Sequence, residues 1–291
     1  MSILTFLLAG TLAAALPLLL AALGELVVER TGLLNLGLEG MMALGAAIAF
    51  ICVYNTGSHS LGFLAAVAVS ALLAMVFAGL VLLVNANQVA TGLAISVLGL
   101  GLSALFGKSY ESLTITGLPK HPLPLLSDIP VIGPTLFTQD IVVWLSILGT
   151  VGLWYVLNRT KVGLIITAVG ENSEAARAIG YPVGAIRCAA VAFGGAMCGL
   201  AGAYASTVYT PLWADGMIAG RGWIALALVV FGTWQTGRVA FGALLFGLLS
   251  LGELTAQAVG VALPSQVLSS LPYIATILML VLISKRNQHA N

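Results

Sequence analysis

Long apolar runs, separated by short polar intervals, follow one another along almost the whole chain. They lie near residues 3–23, 33–54, 61–84, 89–107, 140–158, 188–208, 218–234, 239–259 and 268–284. A helix needs about twenty residues, at about 1.5 Å each, to cross about 30 Å of hydrocarbon, and most of these runs approach that length. The pattern predicts an all-α, polytopic transmembrane helical bundle of about nine spans (8–10), in which some helices are short or broken.

Two polar intervals are longer than the others. Residues 108–139 cannot form a continuous helix, because prolines interrupt them. These prolines are Pro119, Pro122, Pro124, Pro130 and Pro134. Residues 159–187 form a hydrophilic loop with four of the eleven lysine and arginine residues. No soluble segment of domain size remains, so the sequence predicts a single transmembrane domain over residues 1–291.

A short helix is predicted within the 159–187 loop. Ser173 can cap a helix that starts at the next residue, and Gly180 can end it. A helix of about six residues is not stable alone in water, so it needs its neighbours or a partner. Two interpretations fit: a docking element in which Ala175 and Ala176 let another protein surface come close, or an ordinary capped turn between two membrane helices.

Composition excludes a water-soluble globule, because 60% of the residues are hydrophobic and only 7% are charged. A net charge of +1, with basic residues spread thinly, gives no reason to expect nucleic-acid binding. The three cysteines and three histidines are scattered, which argues against a disulfide, a metal site or a histidine-based triad. The run 101–109 resembles a phosphate-binding loop but has five residues between its glycines where four are needed. We therefore expect no catalytic site and no cofactor bound by this chain.

The distribution of lysine and arginine predicts an orientation. With the 159–187 loop in the cytoplasm, eight basic residues lie inside: Arg30, Arg159, Lys161, Arg177, Arg187, Arg238, Lys285 and Arg286. Three lie outside: Lys108, Lys120 and Arg221. The excess agrees with the positive-inside rule, so we expect an external N-terminus, an internal C-terminus and an external Pro-rich loop at 108–139.

Small and polar residues within the apolar runs suggest packing and a pathway. The four-residue spacings Gly195–Gly199 and Gly216–Gly220 predict close helix approach. Asn35 and Glu39 would share a helix face, and a carboxylate in an apolar run is a candidate functional group. The alternative is that Glu39 lies at the membrane interface and pairs with Arg30.

Three sequence blocks resemble a known family. Glu174-Ala175-Ala176, three further residues and then Gly180 resemble the coupling loop of ABC importer permeases. Residues 163–180 look like the version in permeases for simple sugars, branched-chain amino acids and nucleosides, with Thr167 where Arg is expected and Ser173 where Pro is expected. Residues 29–40 read E-R-T-G-L-L-N-L-G-L-E-G and resemble the signature of nucleoside-type permeases. Residues 221–227, 231–234 and 242–247 resemble further blocks of that family, except that Pro is expected near position 236.

The resemblance implies a pore-forming half of an ATP-driven importer in a bacterial cytoplasmic (inner) membrane. Its implied partners are an ABC ATP-binding protein that hydrolyses ATP, a second homologous permease, and an external substrate-binding protein or lipoprotein. The residues it implies for coupling are Glu171, Glu174, Ala175, Ala176, Arg177 and Gly180.

Nucleosides are the substrates that the resemblance favours, with simple sugars and branched-chain amino acids as alternatives. A nucleoside pathway needs hydrogen-bonding groups for the ribose and aromatic faces for the base. The candidates are Asn35, Glu39, Asn85, Asn87, Gln88, Tyr204 and Trp223. An ion-coupled secondary transporter is the alternative from another class; it would not need the docking helix.

Overall fold

The computed structural model describes residues 3–119, 133, 137–258 and 274. Its α-helices are α1 (Ile3–Arg30), α2 (Leu38–Thr56), α3 (His59–Leu82), α4 (Gln88–Gly107), α5 (Ile141–Arg159), α6 (Lys161–Glu171), α7 (Ser173–Ala178), α8 (Val183–Tyr204), α9 (Arg221–Phe231) and α10 (Thr236–Ala258). Within the described residues, seven helices are long and apolar enough to cross a membrane, and α9 is a shorter apolar helix.

These helices confirm the all-α, polytopic fold class. The predicted span at 268–284 lies outside the described residues except for residue 274. Lys120, Lys285, Arg286 and four of the five prolines of the 108–139 loop also lie outside them. The count of about nine spans is consistent with the seven long helices, the short α9 and that last predicted span.

Helix α2 lies at the centre of the bundle, between α3, α4 and α8. Close contact is possible because its contact residues are small: Gly40 lies against the backbone of Gly99 on α4, and Gly45 lies against Gly199 on α8. Three hydroxyl groups on the surrounding helices donate hydrogen bonds to carbonyl oxygens of α2. They are Ser70 to Met41 (2.9 Å), Ser103 to Ala43 (2.9 Å) and Ser206 to Ala46 (2.8 Å).

The two predicted glycine pairs have different roles. Gly195 and Gly199 on α8 face α3, where an added Cβ would meet Ala74 and Ala66 respectively, so their role in helix packing is confirmed. The same prediction is wrong for Gly216 and Gly220. Both lie in the irregular segment before α9 with φ of +72° and +80°, a conformation that glycine adopts without a steric cost.

Helix α2 begins inside the bundle, not at its end. After α1 the chain turns back beside it, so that the backbone N–H of Asn35 donates to Glu25 Oε1 (3.0 Å). The carbonyl of Leu36 accepts from Ser96 Oγ (2.7 Å), and Ser96 lies about 12 Å along α4 from its start. The predicted shared helix face of Asn35 and Glu39 is therefore wrong, because the helix starts only at Leu38.

Helix α9 is also broken. Its eleven residues span about 16 Å, roughly half of the hydrocarbon thickness, although the sequence predicts a run over 218–234. It starts near the start of α2 and ends beside Arg30. We call the end of the bundle that contains Arg30 and Trp234 the Arg30 end, and the opposite end the Asp140 end. Arg221, which the sequence places outside, lies at the inner start of α9, with its guanidinium 5.6 Å from the centre of the Tyr209 ring.

Helix α5 stands apart from the rest of the bundle. A largely apolar groove of about 1080 Å³ lies between α5 and α8, and residues such as Leu145, Leu153, Phe193 and Met197 line it. Only three of the nineteen residues of α5 are buried: Val143, Ser146 and Leu157.

Candidate coupling and translocation sites

The predicted short helix is present as α7, and its two ends are well defined. The side chain of Asn172, not the predicted Ser173, is the N-cap and accepts from the N–H of Ala175 (2.9 Å). Gly180 ends the helix with φ of +96°, as predicted. Its N–H donates to Arg177 O (3.0 Å), and the N–H of Tyr181 donates to Ala176 O (3.1 Å), the pair of bonds of a Schellman motif.

One residue of α7 anchors it to its own chain. Ala176 is only 2% exposed and packs with Val169 of α6 and Val183 of α8. The expectation that both alanines face a partner therefore does not hold for Ala176. A six-residue helix is not stable alone in water, and the buried Ala176 gives it support from its own chain. The other predicted coupling residues are exposed: Glu171, Glu174, Ala175, Arg177 and Gly180.

The loop that carries α7 touches the end of α1 through backbone groups. Gly170 lies so close to the carbonyl of Arg30 that an added Cβ would clash with it, and Gly32 lies against Gly170 in turn. Arg187 of α8 donates from Nε to Thr31 O (3.1 Å). This loop is therefore in direct contact with residues 30–32.

Glu39 is buried and binds the start of α9. Its Oε1 accepts from the N–H of Gly220 (2.6 Å), and its Oε2 accepts from the N–H of Gly222 (2.7 Å). A carboxylate is well placed there, since the free amides and the dipole of a helix N-terminus attract negative charge. The alternative pairing of Glu39 with Arg30 is wrong, because Arg30 donates to Trp234 O (2.6 Å from Nη2).

Sequence comparison identifies the kind of transporter that this architecture belongs to. A family model described as the permease component of branched-chain amino acid transport systems matches residues 7–283. The chain belongs to this family of ABC transporter permeases.

Relatives of the permease carry names that point to two substrate classes. A provisionally named glucose ABC transporter permease protein of Haloferax volcanii is 40% identical, over 96% of this chain and 92% of the relative. The nucleoside ABC transporter permease protein NupC of Lactococcus lactis is 33% identical, over 91% and 88%. The guanosine ABC transporter permease protein NupQ of Bacillus subtilis is 34% identical, over 96% and 92%. No solved structure gives a significant match to the permease.

Two further pathway candidates of the permease are buried and already have partners. Asn35 is 1% exposed, and its Oδ1 accepts from the N–H of Gly37 (2.9 Å) just before α2. Tyr204 is fully buried, and its hydroxyl donates to Asp140 Oδ2 (2.9 Å) near the Asp140 end. Both side chains hold helix ends in place.

The other candidates lie at two separate places. Asn85, Asn87 and Gln88 form the turn between α3 and α4 at the Arg30 end, where Asn87 caps α4 and Gln88 Oε1 accepts from the N–H of Leu34 (2.8 Å). Asn87 and Gln88 line a cleft of about 650 Å³ together with Trp234. Trp223 is 40% exposed on α9, one residue after the Glu39 contact. The seven candidates therefore do not form one pocket within the chain.

Three polar residues outside the predicted sites hold the ends of helices. Glu25 is 1% exposed on α1 and accepts from Asn35. Asp140 caps α5 and accepts from Tyr204. Trp234 donates from Nε1 to Glu29 Oε2 (2.5 Å). The rule that carboxylates in membrane helices are functional candidates would have found Glu25, but the predicted window ended at residue 23, before it.

Proposed function

We propose that this permease forms half of the translocation pathway of an ABC importer and that α7 docks on a separate ATP-binding subunit. The geometry of α7 supports this proposal. One residue, Ala176, holds the helix to the permease, while Glu174, Ala175 and Arg177 are exposed and Ile179 is 72% exposed. An exposed apolar residue beside both signs of charge, on a helix that needs support, suits a protein partner.

The complete transporter contains a second homologous permease, ATP-binding subunits, and an external binding protein or lipoprotein. ATP is bound and hydrolysed by the partner subunits. The Arg30 end faces the cytoplasm of a bacterial cell, because it carries Arg30, Arg159, Arg177, Arg187 and Arg238. The position of Arg221 inside the bundle removes one of the three basic residues counted outside and strengthens this bias.

Replacement of Ala175 with Asp tests docking. The change adds a carboxylate to the exposed face of α7, so we expect loss of ATP-dependent uptake and of pull-down of the ATP-binding subunit at normal membrane abundance. Ala90→Asp is the matched control, because Ala90 is exposed in the first turn of α4 at the same end. Normal uptake and pull-down with Ala175→Asp would reject the docking role. Ala176→Asp tests packing instead, since its carboxylate would be buried.

Cysteine labelling tests the orientation. Single cysteines at Ser109 and Glu174, both exposed, are introduced after Cys52, Cys188 and Cys198 have been replaced. An impermeant thiol reagent added to intact cells should label position 109 and not position 174. The opposite pattern would invert the topology.

Nucleosides are the proposed substrates, and relatives named for nucleoside and guanosine transport support this choice. Glucose is the second candidate, because the 40% identical relative is named for it. Uptake of labelled guanosine and of labelled glucose, each measured with and without the unlabelled competitor, separates the two. Glucose uptake that guanosine does not inhibit would reject the nucleoside assignment.

A further inference from the structure

Residues 29–39 comprise the end of α1, the connection to α2 and the first two residues of α2, and we call them the strap. We propose that the strap grips the half-helix α9 at both of its ends and makes α9 follow the movement of the 159–187 loop. This inference rests on the proposed coupling function of that loop.

At the start of α9, inside the bundle, the carboxylate of Glu39 holds the helix. Its two oxygens accept from the N–H groups of Gly220 and Gly222, at 2.6 and 2.7 Å. Gly222 has no Cβ, and an added one would meet the backbone of Glu39 at 2.5 Å. The first turn of α9 is therefore held by charge-assisted bonds and by direct backbone contact.

At the Arg30 end of α9, the neighbouring side chains of Glu29 and Arg30 hold the turn that follows the helix. Arg30 donates from Nε (3.2 Å) and Nη2 (2.6 Å) to the carbonyl of Trp234, and Glu29 accepts from Trp234 Nε1 (2.5 Å). Thr233 and Trp234 have φ of +49° and +53°, which is costly for residues other than glycine. The contacts with Glu29 and Arg30 help to hold this strained turn.

Between these two sets of contacts with α9, the strap touches the 159–187 loop. Thr31 O accepts from Arg187 Nε at 3.1 Å, and Gly32 lies against Gly170. The residues that hold the end of α9 are thus adjacent in sequence to those that touch the loop. A short helix fixed at both ends to one segment moves with that segment as a rigid body, in the manner of the discontinuous helices of other transporters.

Two of the sequence blocks named above lie on the two sides of these contacts. The block at 29–40 contains Glu29, Arg30 and Glu39, and the blocks at 221–227 and 231–234 contain the two ends of α9. The hydrogen bonds between them join residues 181, 183, 204 and 205 positions apart. The two blocks are therefore joined by hydrogen bonds at both ends of α9. Trp223, which is exposed on α9, moves with this helix in the proposal.

Arg30→Met removes the donors of the strap and keeps a long apolar side chain. In the complete transporter in proteoliposomes, we expect ATP hydrolysis within about twofold of the wild type, but at least about tenfold less solute transported per ATP. Arg238→Met is the matched control. Arg238 donates to Thr233 Oγ1 in the same turn but is not part of the strap, so its variant should keep the wild-type ratio. An unchanged ratio with Arg30→Met would overturn the proposal.

A fluorophore on a cysteine at position 223, in a background without the native cysteines, reports the movement of α9. Its emission should change when a non-hydrolysable ATP analogue is bound, and Arg30→Met should abolish that change while the ATP-binding subunit still co-purifies. An undiminished change in Arg30→Met, or no change without the mutation, would overturn the proposal.

If Arg30→Met is not recovered from membranes, Trp234→Phe serves instead, because it removes only the Nε1 donor to Glu29 and should lower the transport ratio less. A wild-type ratio in Trp234→Phe would then overturn the proposal. Ala175→Asp, in contrast, is expected to lose the ATP-binding subunit itself. A failure of the docking proposal is therefore distinguishable from a failure of the strap.

Discussion

Helices α2 and α5 are both nineteen residues long and both apolar enough to cross a membrane, yet their surroundings are opposite. Thirteen residues of α2 are buried, against three of α5. The residues through which α2 meets its neighbours include Gly40, Gly45, Ala46 and Ala47, whereas α5 exposes larger ones such as Leu145, Leu148 and Trp154.

Hydrophobicity takes both helices into the membrane, but it does not decide which is central. In lipid, apolar side chains gain little from leaving the hydrocarbon, so close packing of small residues and hydrogen bonds between helices determine position. The small residues of α2 and the three hydroxyl groups that bond to its carbonyls supply both. Helix α5 has an apolar groove on one side instead.

The largest expected effect comes from filling a contact of α2. In Gly99→Leu on α4, the new side chain would collide with the backbone of Gly40, so we expect a loss of more than about 4 kcal/mol of folding free energy and almost no recovered protein. Gly149→Leu on α5 is the control, because its Cβ would point into open space and should change stability by less than about 0.5 kcal/mol. Membrane abundance and thermal stability in detergent measure both. Equal losses of stability in Gly99→Leu and Gly149→Leu would contradict the contrast between the packing of α2 and that of α5.

The two carboxylates at the starts of these helices allow a matched comparison. Glu39 caps another helix, and Glu39→Gln places an amide against an N–H donor of α9, so we expect a loss of about 3 kcal/mol. Asp140 caps α5 itself through Oδ1, and Asp140→Asn keeps a capping oxygen, so we expect a loss of about 1 kcal/mol. Denaturant unfolding of the purified variants measures the difference. A larger cost for Asp140→Asn would reverse the comparison.

Tyr204→Phe tests the polar link between α8 and the start of α5. It leaves Asp140 Oδ2 without the hydroxyl that donates to it at 2.9 Å, and Asp140 is 3% exposed. We expect a loss of about 2 kcal/mol, since hydrogen bonds to charged groups contribute more than neutral ones. Proteolysis sites should appear first around α5. Uniform proteolysis along the chain would show that α5 does not depend on this bond.

Hydroxyl groups give the smallest expected effect. Ser103 Oγ donates from α4 to Ala43 O on α2, so Ser103→Ala should cost about 0.6 kcal/mol. Ser146 Oγ donates within α5 to Val142 O, so Ser146→Ala should cost almost nothing. Thermal unfolding of the two single variants, measured beside the wild type, compares the two costs. A cost for Ser146→Ala that matches Ser103→Ala would mean that bonds between helices are not what holds α2.

The sequence predicts regular spans well where an apolar run ends in polar residues. The predicted runs 61–84, 89–107 and 140–158 agree with α3, α4 and α5 within two residues. It fails at the starts of α2 and α9. Leu33, Leu34 and Leu36 are apolar but not helical, because they lie within the bundle where neighbours satisfy their backbone groups. A hydropathy window cannot distinguish such a segment from a helix.

The candidate coupling helix was predictable because its signals are local, as with the left-handed Gly180. Which of its two alanines faces inward was not, since that depends on Val169 and Val183 from two other helices. The hydrogen-bond partners of Glu39 could not be predicted from the sequence for the same reason. Its two hydrogen bonds join groups 181 and 183 residues apart, and no local pattern specifies such a pair.

The separation of 181 residues between Glu39 and Gly220 also constrains how the permease is inserted into the membrane. Ribosomes add about 5–20 residues per second, so the chain needs roughly 10–35 s after synthesis of Glu39 before Gly220 exists. During that interval the carboxylate has entered the membrane with an incomplete α2 environment, and a charge facing lipid is costly. We therefore expect the insertion machinery to shelter α2 until α9 has been synthesised. Nascent chains arrested before Gly220 should therefore remain bound to that machinery, whereas chains arrested after α10 should be released into the bilayer.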